Sequence, residues 1–204
     1  NPTFGTLQIV DSEAASTTQV LYRQLIEEGY FIDKSMANCL LTGLITDTGR
    51  FQYPNTTSEV FNIASELLKF GADLALISEN IYGSFEFNAL KLQSEIINRI
   101  VFEKELEFTY STVYQEDYKK HDIDAEETDF LIDVVRLVKD ANIALLLKEQ
   151  PDGSYKGSLR SRNNFNVQEL ASLFDGGGHK AASGFSSPLS EEEIIDKIKN
   201  AIKT

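Results

Sequence analysis

The hydrophobic pattern of this chain changes period near residue 103, and that change limits the folds open to it more than any other feature. Upstream, SEAASTTQVLYRQLIEEG, MANCLLTGLIT and EVFNIASELLKF carry helical patterns. Downstream come short strand-like runs, ELEFTYSTVY, NIALLLKEQ and SYKGSLRSR, with PDG at 151–153 as a turn between the last two. Helical patterns return in NVQELASLF and SEEEIIDKIKNAIK. The spacing predicts two modules joined by a long helical stretch over residues 84–102 (SFEFNALKLQSEIINRIVF). A length of 204 residues with 42% hydrophobic content suffices for each to bury a core.

Stop and start signals sharpen this reading. Ser16 or Thr17 can cap the first helix and Gly29 end it; the second opens at Asp33 and ends at Asp47; Thr57 or Ser58 caps the third and Gly71 ends it. Ser190 and Glu193 have the spacing of a capping box. Strands are expected over Thr3–Val10, around FGTLQIV, and at GRFQY, closed by Pro54.

Charge narrows the partners. A net charge of −13 repels a long polyanion, so a wrapped duplex or an anionic membrane surface is not expected. Residues 153–166 (GSYKGSLRSRNNFN) form a local exception, with Lys156, Arg160, Arg162 and no acid. The longest clean apolar run, Ile143–Leu147, falls far short of the roughly 20 residues a bilayer requires. The single cysteine, Cys39, rules out an internal disulfide, agrees with a reducing cytoplasm and reads as a buried structural thiol. The chain opens on Asn1 rather than Met and has no basic, apolar leader, so its start reads as a truncation.

Three constellations could carry chemistry. In FDGGGHKAASGF, consecutive glycines Gly176, Gly177 and Gly178 can turn sharply and present backbone N–H groups to phosphate oxygens, with His179 and Lys180 as donors beside them. The structural alternative is a helix C-cap followed by a loop, and the run matches neither GxGxxG nor GxxxxGK[ST]. In SLRSR, an extended backbone puts Arg160 and Arg162 on one side with Ser158, a bidentate clamp for phosphate or simply two solvated arginines. In TGLITDTGRF, Asp47 stands at the C-terminal end of an apolar helix, the unfavourable end of the dipole for an acid; a hard divalent metal would neutralise it, although one carboxylate makes no site. Asp11 and Glu13 are weaker metal candidates, and His121, in YKKHDIDAEE, reads as solvated.

VDSEAASTTQVLY, TGLITDTGRF, SLRSR and NVQELASLFDGGGHKAASGF together resemble the DHH phosphoesterases, specifically the NrnA-type oligoribonucleases that also dephosphorylate 3′-phosphoadenosine 5′-phosphate; the resemblance covers nearly the whole chain. It implies an α/β protein: the C-terminal part of a parallel-sheet DHH domain over residues 1–83, a linker helix over 84–102, and a smaller mixed-sheet, substrate-binding DHH-associated domain over 103–204. It also implies a pair of manganese ions that activate water for in-line attack on a phosphoester. Asp47 matches the last aspartate ligand of that pair. Arg160, Arg162, Gly176, Gly177, Gly178, His179 and Lys180 match the phosphate and nucleotide contacts. The family's other ligands, an N-terminal His-x-x-Asp-x-Asp segment, a further aspartate and the Asp-His-His triplet, are not in this sequence. The expectation is therefore a piece of a cytoplasmic bacterial phosphoesterase that keeps the substrate-binding half and lacks most metal ligands. Its expected partner is short single-stranded RNA or a nucleotide, with the oligomeric state, a homodimer included, left open. The alternative is a nucleotide-binding module without catalysis.

Overall fold

The computed structural model describes residues 5, 6, 8–163 and 165–203. The chain folds as two compact units, Asn1–Ser84 and Phe85–Thr204. Among the described residues, no helix is long and apolar enough to cross a membrane.

The first unit is built on helices α1 (Thr17–Glu27), α2 (Lys34–Asp47), α3 (Ser58–Lys69) and α4 (Leu74–Ser78), followed by one π-helical turn, Glu79–Gly83. Their starts follow the cap chemistry: Ser16, Asp33, Thr57 and Asp73 each accept a hydrogen bond from a first-turn amide. Helix α2 packs against α1, α3 and α4. It buries Ala37, Leu40, Leu41, Leu44 and Ile45 in a core shared with Val60, Ile63 and Leu67. Cys39, expected to be buried, is exposed on α2, because the core-facing positions of that helix belong to its leucines and isoleucine.

Neither strand expected in this unit forms among the described residues. Of Thr3–Val10, residues 3, 4 and 7 lie outside them, and 5, 6 and 8–10 are irregular. GRFQY is a turn, for a clear reason: Gly49, Arg50 and Phe51 all have positive φ (55°, 62° and 62°), which a strand cannot accommodate. Each non-glycine residue held there costs about 1–2 kcal/mol. Hydrogen bonds hold the conformation, from Arg50 N–H to the Ile45 carbonyl (2.8 Å) and from Gln52 and Tyr53 N–H to the Thr48 carbonyl (3.0 Å each). The Phe51 ring stacks on Phe61 with centroids 5.3 Å apart.

The second unit is a six-stranded mixed sheet. It runs through α5 (Phe87–Asn98), β1 (Val101–Glu103), β2 (Phe108–Val113), α6 (Gln115–His121), α7 (Leu131–Val135), β3 (Ile143–Glu149), β4 (Tyr155–Ser161), α8 (Val167–Ser172), β5 (Gly177–His179), β6 (Ala182–Ser187) and α9 (Glu191–Ile202). The strand order is β1-β2-β3-β4-β6-β5. The β2–β3 pair is parallel and the other pairs are antiparallel. Helix α5, inside the 84–102 stretch, packs on β2, α6 and α7 and so is part of this unit.

Strand β3 explains its own apolar run. Ile143, Leu145 and Leu147 face a core with Phe108, Leu159, Phe185 and residues of α8 and α9, while Ala144 and Leu146 face a second core with residues of α5 and α7. A strand covered on both faces needs no polar alternation. Toward the other edge the cover thins: α8 packs on β4, β5 and β6 from the first face, while α7 reaches β4 on the second. Their opposite face is left with small and polar residues, and there the candidate site lies.

His121, expected to be solvated, is buried (8% exposed), with Nε2 2.9 Å from Glu95 Oε1. It ends α6, whose inner side carries Asp117 and Tyr118 into the sheet-facing layer, and the same helical periodicity brings His121 inward.

Candidate functional site

The register of three strands assembles the site. Arg160 on β4 pairs with Ala182 on β6, and Ala182 pairs with His179 on β5. Directly paired residues project to the same side of a sheet, so Arg160, Ala182 and His179 form one row. Leu159 and Phe185, in the alternate positions, point into the core on the other face, which fixes which side this is. The adjacent row is Ser158, Gly184 and Gly177, and beyond it lie Lys156 and Ser186. The result is an open strip floored by alanine and glycines. Arg160 and His179 flank it about 10 Å apart at Cα, two strand spacings. None of its residues is acidic.

The glycine trio is divided by its neighbours. A Cβ on Gly176 would stand 2.4 Å from the Gly184 carbonyl oxygen, and one on Gly178, whose φ is 141°, would stand 2.7 Å from the Ala182 carbonyl oxygen. Those two glycines admit the chain's own strand β6. A Cβ on Gly177 would meet nothing within 4 Å. Its bare backbone opens onto the strip.

The remaining residues are placed as follows. Lys180, with Ala181, forms the two-residue turn between β5 and β6 and is exposed; its carbonyl accepts from Val167 N–H (3.0 Å), tying the turn to the start of α8. Arg162 departs from the face expected for it. Strand β4 ends at Ser161, the Arg162 amide donates to the Asn142 carbonyl (2.8 Å), and its Nη1 reaches the Val138 carbonyl at 3.4 Å. Arg160 Nη1 donates to the Leu159 carbonyl (3.0 Å), so two parallel guanidinium forks are not formed.

Asp47 is the exposed last residue of α2, and its carbonyl accepts from Asn55 Nδ2 (3.1 Å). Among the described residues, no group of three or more His, Cys, Asp or Glu side chains is placed to hold a metal ion. Asp11 is held by Arg23, which also bridges to Glu59 at 2.5 Å. That hydrogen bond from Arg23 keeps the Asp11 carboxyl below its ordinary pKa. The donor set of the described residues therefore does not fit a two-metal centre.

Sequence reasoning missed the floor of the strip. Its signal was the alternation of small residues, Ala182, Gly184 and Ser186, in AASGFSS, a period-two pattern hidden because those positions carry no apolar side chain.

Comparison with known proteins supplies the remaining findings. Residues 105–204 match the DHHA1 domain. The chain is 32% identical to a probable bifunctional oligoribonuclease and PAP phosphatase NrnA of Streptococcus mutans, over 98% of this chain and 64% of that protein. It is 28% identical to the bifunctional oligoribonuclease and PAP phosphatase NrnA of Thermus thermophilus, over 100% of this chain and 61% of that one. The chain thus spans about three fifths of the length of these curated relatives. A solved structure of an exopolyphosphatase-related protein from Bacteroides fragilis superposes with a TM-score of 0.90 at 29% identity, covering 98% of this chain and 60% of that one.

Proposed function

We propose that this chain is a DHH-family protein of the NrnA type, on the match of residues 105–204 to the DHHA1 domain and the identity with the NrnA relatives, and that the strip on β4, β6 and β5 binds the phosphate of a short oligoribonucleotide or of 3′-phosphoadenosine 5′-phosphate. The observation that carries this reading is the row Arg160–Ala182–His179 beside the unobstructed backbone of Gly177. A guanidinium supplies charged donors, an imidazole supplies a neutral or charged one, and a floor of alanine and glycines lets an anion approach the main chain. Lys180 and Arg162 stand at the margins as secondary contacts.

Hydrolysis of such a phosphoester by the whole protein extends the proposal on the strength of the relatives' named activities. Manganese rests on the family resemblance alone, which would make Asp47 this chain's contribution to a metal pair that the described donors do not form by themselves. The second reading is a nucleotide-binding module without turnover, which needs only the binding groups of the strip.

Titration of the chain with 3′-phosphoadenosine 5′-phosphate tests the binding claim, with adenosine as the phosphate-free control. Arg160→Ala should weaken the phosphorylated ligand by about tenfold or more, the loss of one hydrogen bond to a charged group, and leave adenosine unaffected. Equal affinity of Arg160→Ala and the unaltered chain for the phosphorylated ligand would sink the proposal. Release of product when manganese is added separates the enzymatic reading from the module.

A further inference from the structure

The left-handed turn and the π-helical turn of the first unit converge on one recess. Arg50, Phe51, Leu74, Glu79, Tyr82 and Gly83 line an open recess of about 460 Å³, and nothing in the proposed function uses them. The positive φ of Arg50 turns its side chain back so that the guanidinium lies 3.9 Å from the centroid of the Tyr82 ring. Gly83 makes room for the opposite charge: a Cβ there would stand 2.4 Å from Glu79 Oε2, so the carboxylate lies back over the glycine. Among the described residues, neither Arg50 nor Glu79 has an ion-pair partner, although both line the same recess.

One cation and one anion held apart over an apolar floor favour neither a simple anion nor a simple cation. They suit a flat, neutral ring with hydrogen-bond donors along one edge. A guanidinium already stacked on tyrosine can stack its other face on a base. A carboxylate accepts two parallel N–H bonds, and among the four RNA bases guanine alone offers two adjacent N–H donors, N1–H and the 2-amino group, on a single edge. We infer that this recess of the first unit is a nucleobase site, with Arg50 and Tyr82 as the stacking platform and Glu79 selecting guanine. It belongs to the first unit and the phosphate strip to the second, and the inference does not rest on that strip.

The test uses nucleosides, which carry no phosphate. Amide chemical-shift mapping of the whole chain with guanosine should perturb residues 49–51 and 78–83, and guanosine should bind about tenfold more tightly than adenosine, cytidine or uridine. Inosine, which lacks only the 2-amino group, should bind more weakly than guanosine to the unaltered chain, an arm that needs no variant to fold. Glu79→Gln should remove the preference for guanosine, and Arg50→Gly, which tolerates the left-handed backbone, should weaken every nucleoside. Shifts confined to other surfaces, equal affinity for guanosine and inosine, or a preference that survives Glu79→Gln each overturn the inference. All three leave the phosphate strip standing, because it is read with phosphorylated ligands and Arg160.

Discussion

At the scale of single residues, the three consecutive glycines divide by steric role. Three in a row suggest a ligand pressed against the backbone, and the sequence alone cannot say which of them faces it, because identical residues differ only in what approaches them. The fold separates them: Gly176 and Gly178 make way for β6, and Gly177 faces outward. Substitution should therefore give opposite signatures. Gly178→Ala, forced to hold φ 141° against the Ala182 carbonyl, should lower stability by about 2 kcal/mol or more, visible in denaturant unfolding. Gly177→Ala should leave stability within about 1 kcal/mol and still weaken a phosphorylated ligand, since its methyl occupies the space the anion needs. A Gly177→Ala protein that unfolds early but binds normally would refute this division. The motif was thus legible as a place of close backbone approach, and the packing of β6 decides which glycines that approach concerns.

At the scale of elements, helix starts were readable because a cap is a local bond: Ser16, Asp33, Thr57 and Ser190 each act within three residues of themselves. What escaped was set by a local turn at Thr48 or by partners distant in the sequence. GRFQY has a strand's composition, yet a Thr48 hydroxyl bonded to the Leu44 carbonyl (2.6 Å) and a chain of turn hydrogen bonds curl it left-handed. Strands β5 and β6 are too short or too small-sided to announce themselves, and they exist because β4 offers β6 an edge. The junction of α5 and α6 is another long-range product. Arg99, at the end of α5, donates to both oxygens of Asp117 in the first turn of α6 (2.6 and 3.0 Å), and the Tyr114 amide adds a bond of 2.8 Å. Burial pushes the Asp117 carboxyl up, but Arg99 and that amide outweigh it and hold the pKa below its ordinary value. A depressed folded-state pKa stabilises above the unfolded value of about 3.9 and loses that contribution as pH falls through the folded one. Arg99→Ala leaves a carboxylate only 7% exposed without its cation. The cost should be about 2 kcal/mol near neutral pH, below that of a fully buried pair because Arg99 itself is 31% exposed. Without Arg99, burial dominates and the Asp117 pKa rises, so protonation relieves the variant first. The gap in melting temperature between the two proteins should therefore already narrow as pH falls from neutral toward about pH 4, and a gap constant from pH 7 to about pH 3 would show that the pair contributes no charge-dependent stability.

At the scale of the molecule, the opposition between a net charge of −13 and an acid-free strip would decide what lengths of nucleic acid the proposed site accepts. The relatives' names allow both oligoribonucleotides and a mononucleotide, and charge discriminates where fold does not. The basic side chains of the strip and its margins are Lys156, Arg160, Arg162 and Lys180, with His179 as a fifth group when protonated. They span a few strands and do not continue as a track. A strand that outgrows the strip meets the field of 32 acidic residues opposed by 19 basic ones, so added phosphates contribute repulsion rather than counterion release. Affinity should accordingly plateau or fall as single-stranded RNA lengthens from about 2 to about 12 nucleotides, opposite to the rise that an extended basic groove produces. The salt dependence carries the same signature. Two neutralised phosphates on a single strand give a slope of about −1.4 in log affinity against log salt, and screening of the surrounding acids flattens it further. Titrations at several salt concentrations that returned a steeper slope, growing with RNA length, would mean that a long strand finds cations beyond the strip and that the chain's acidity does not limit its ligands.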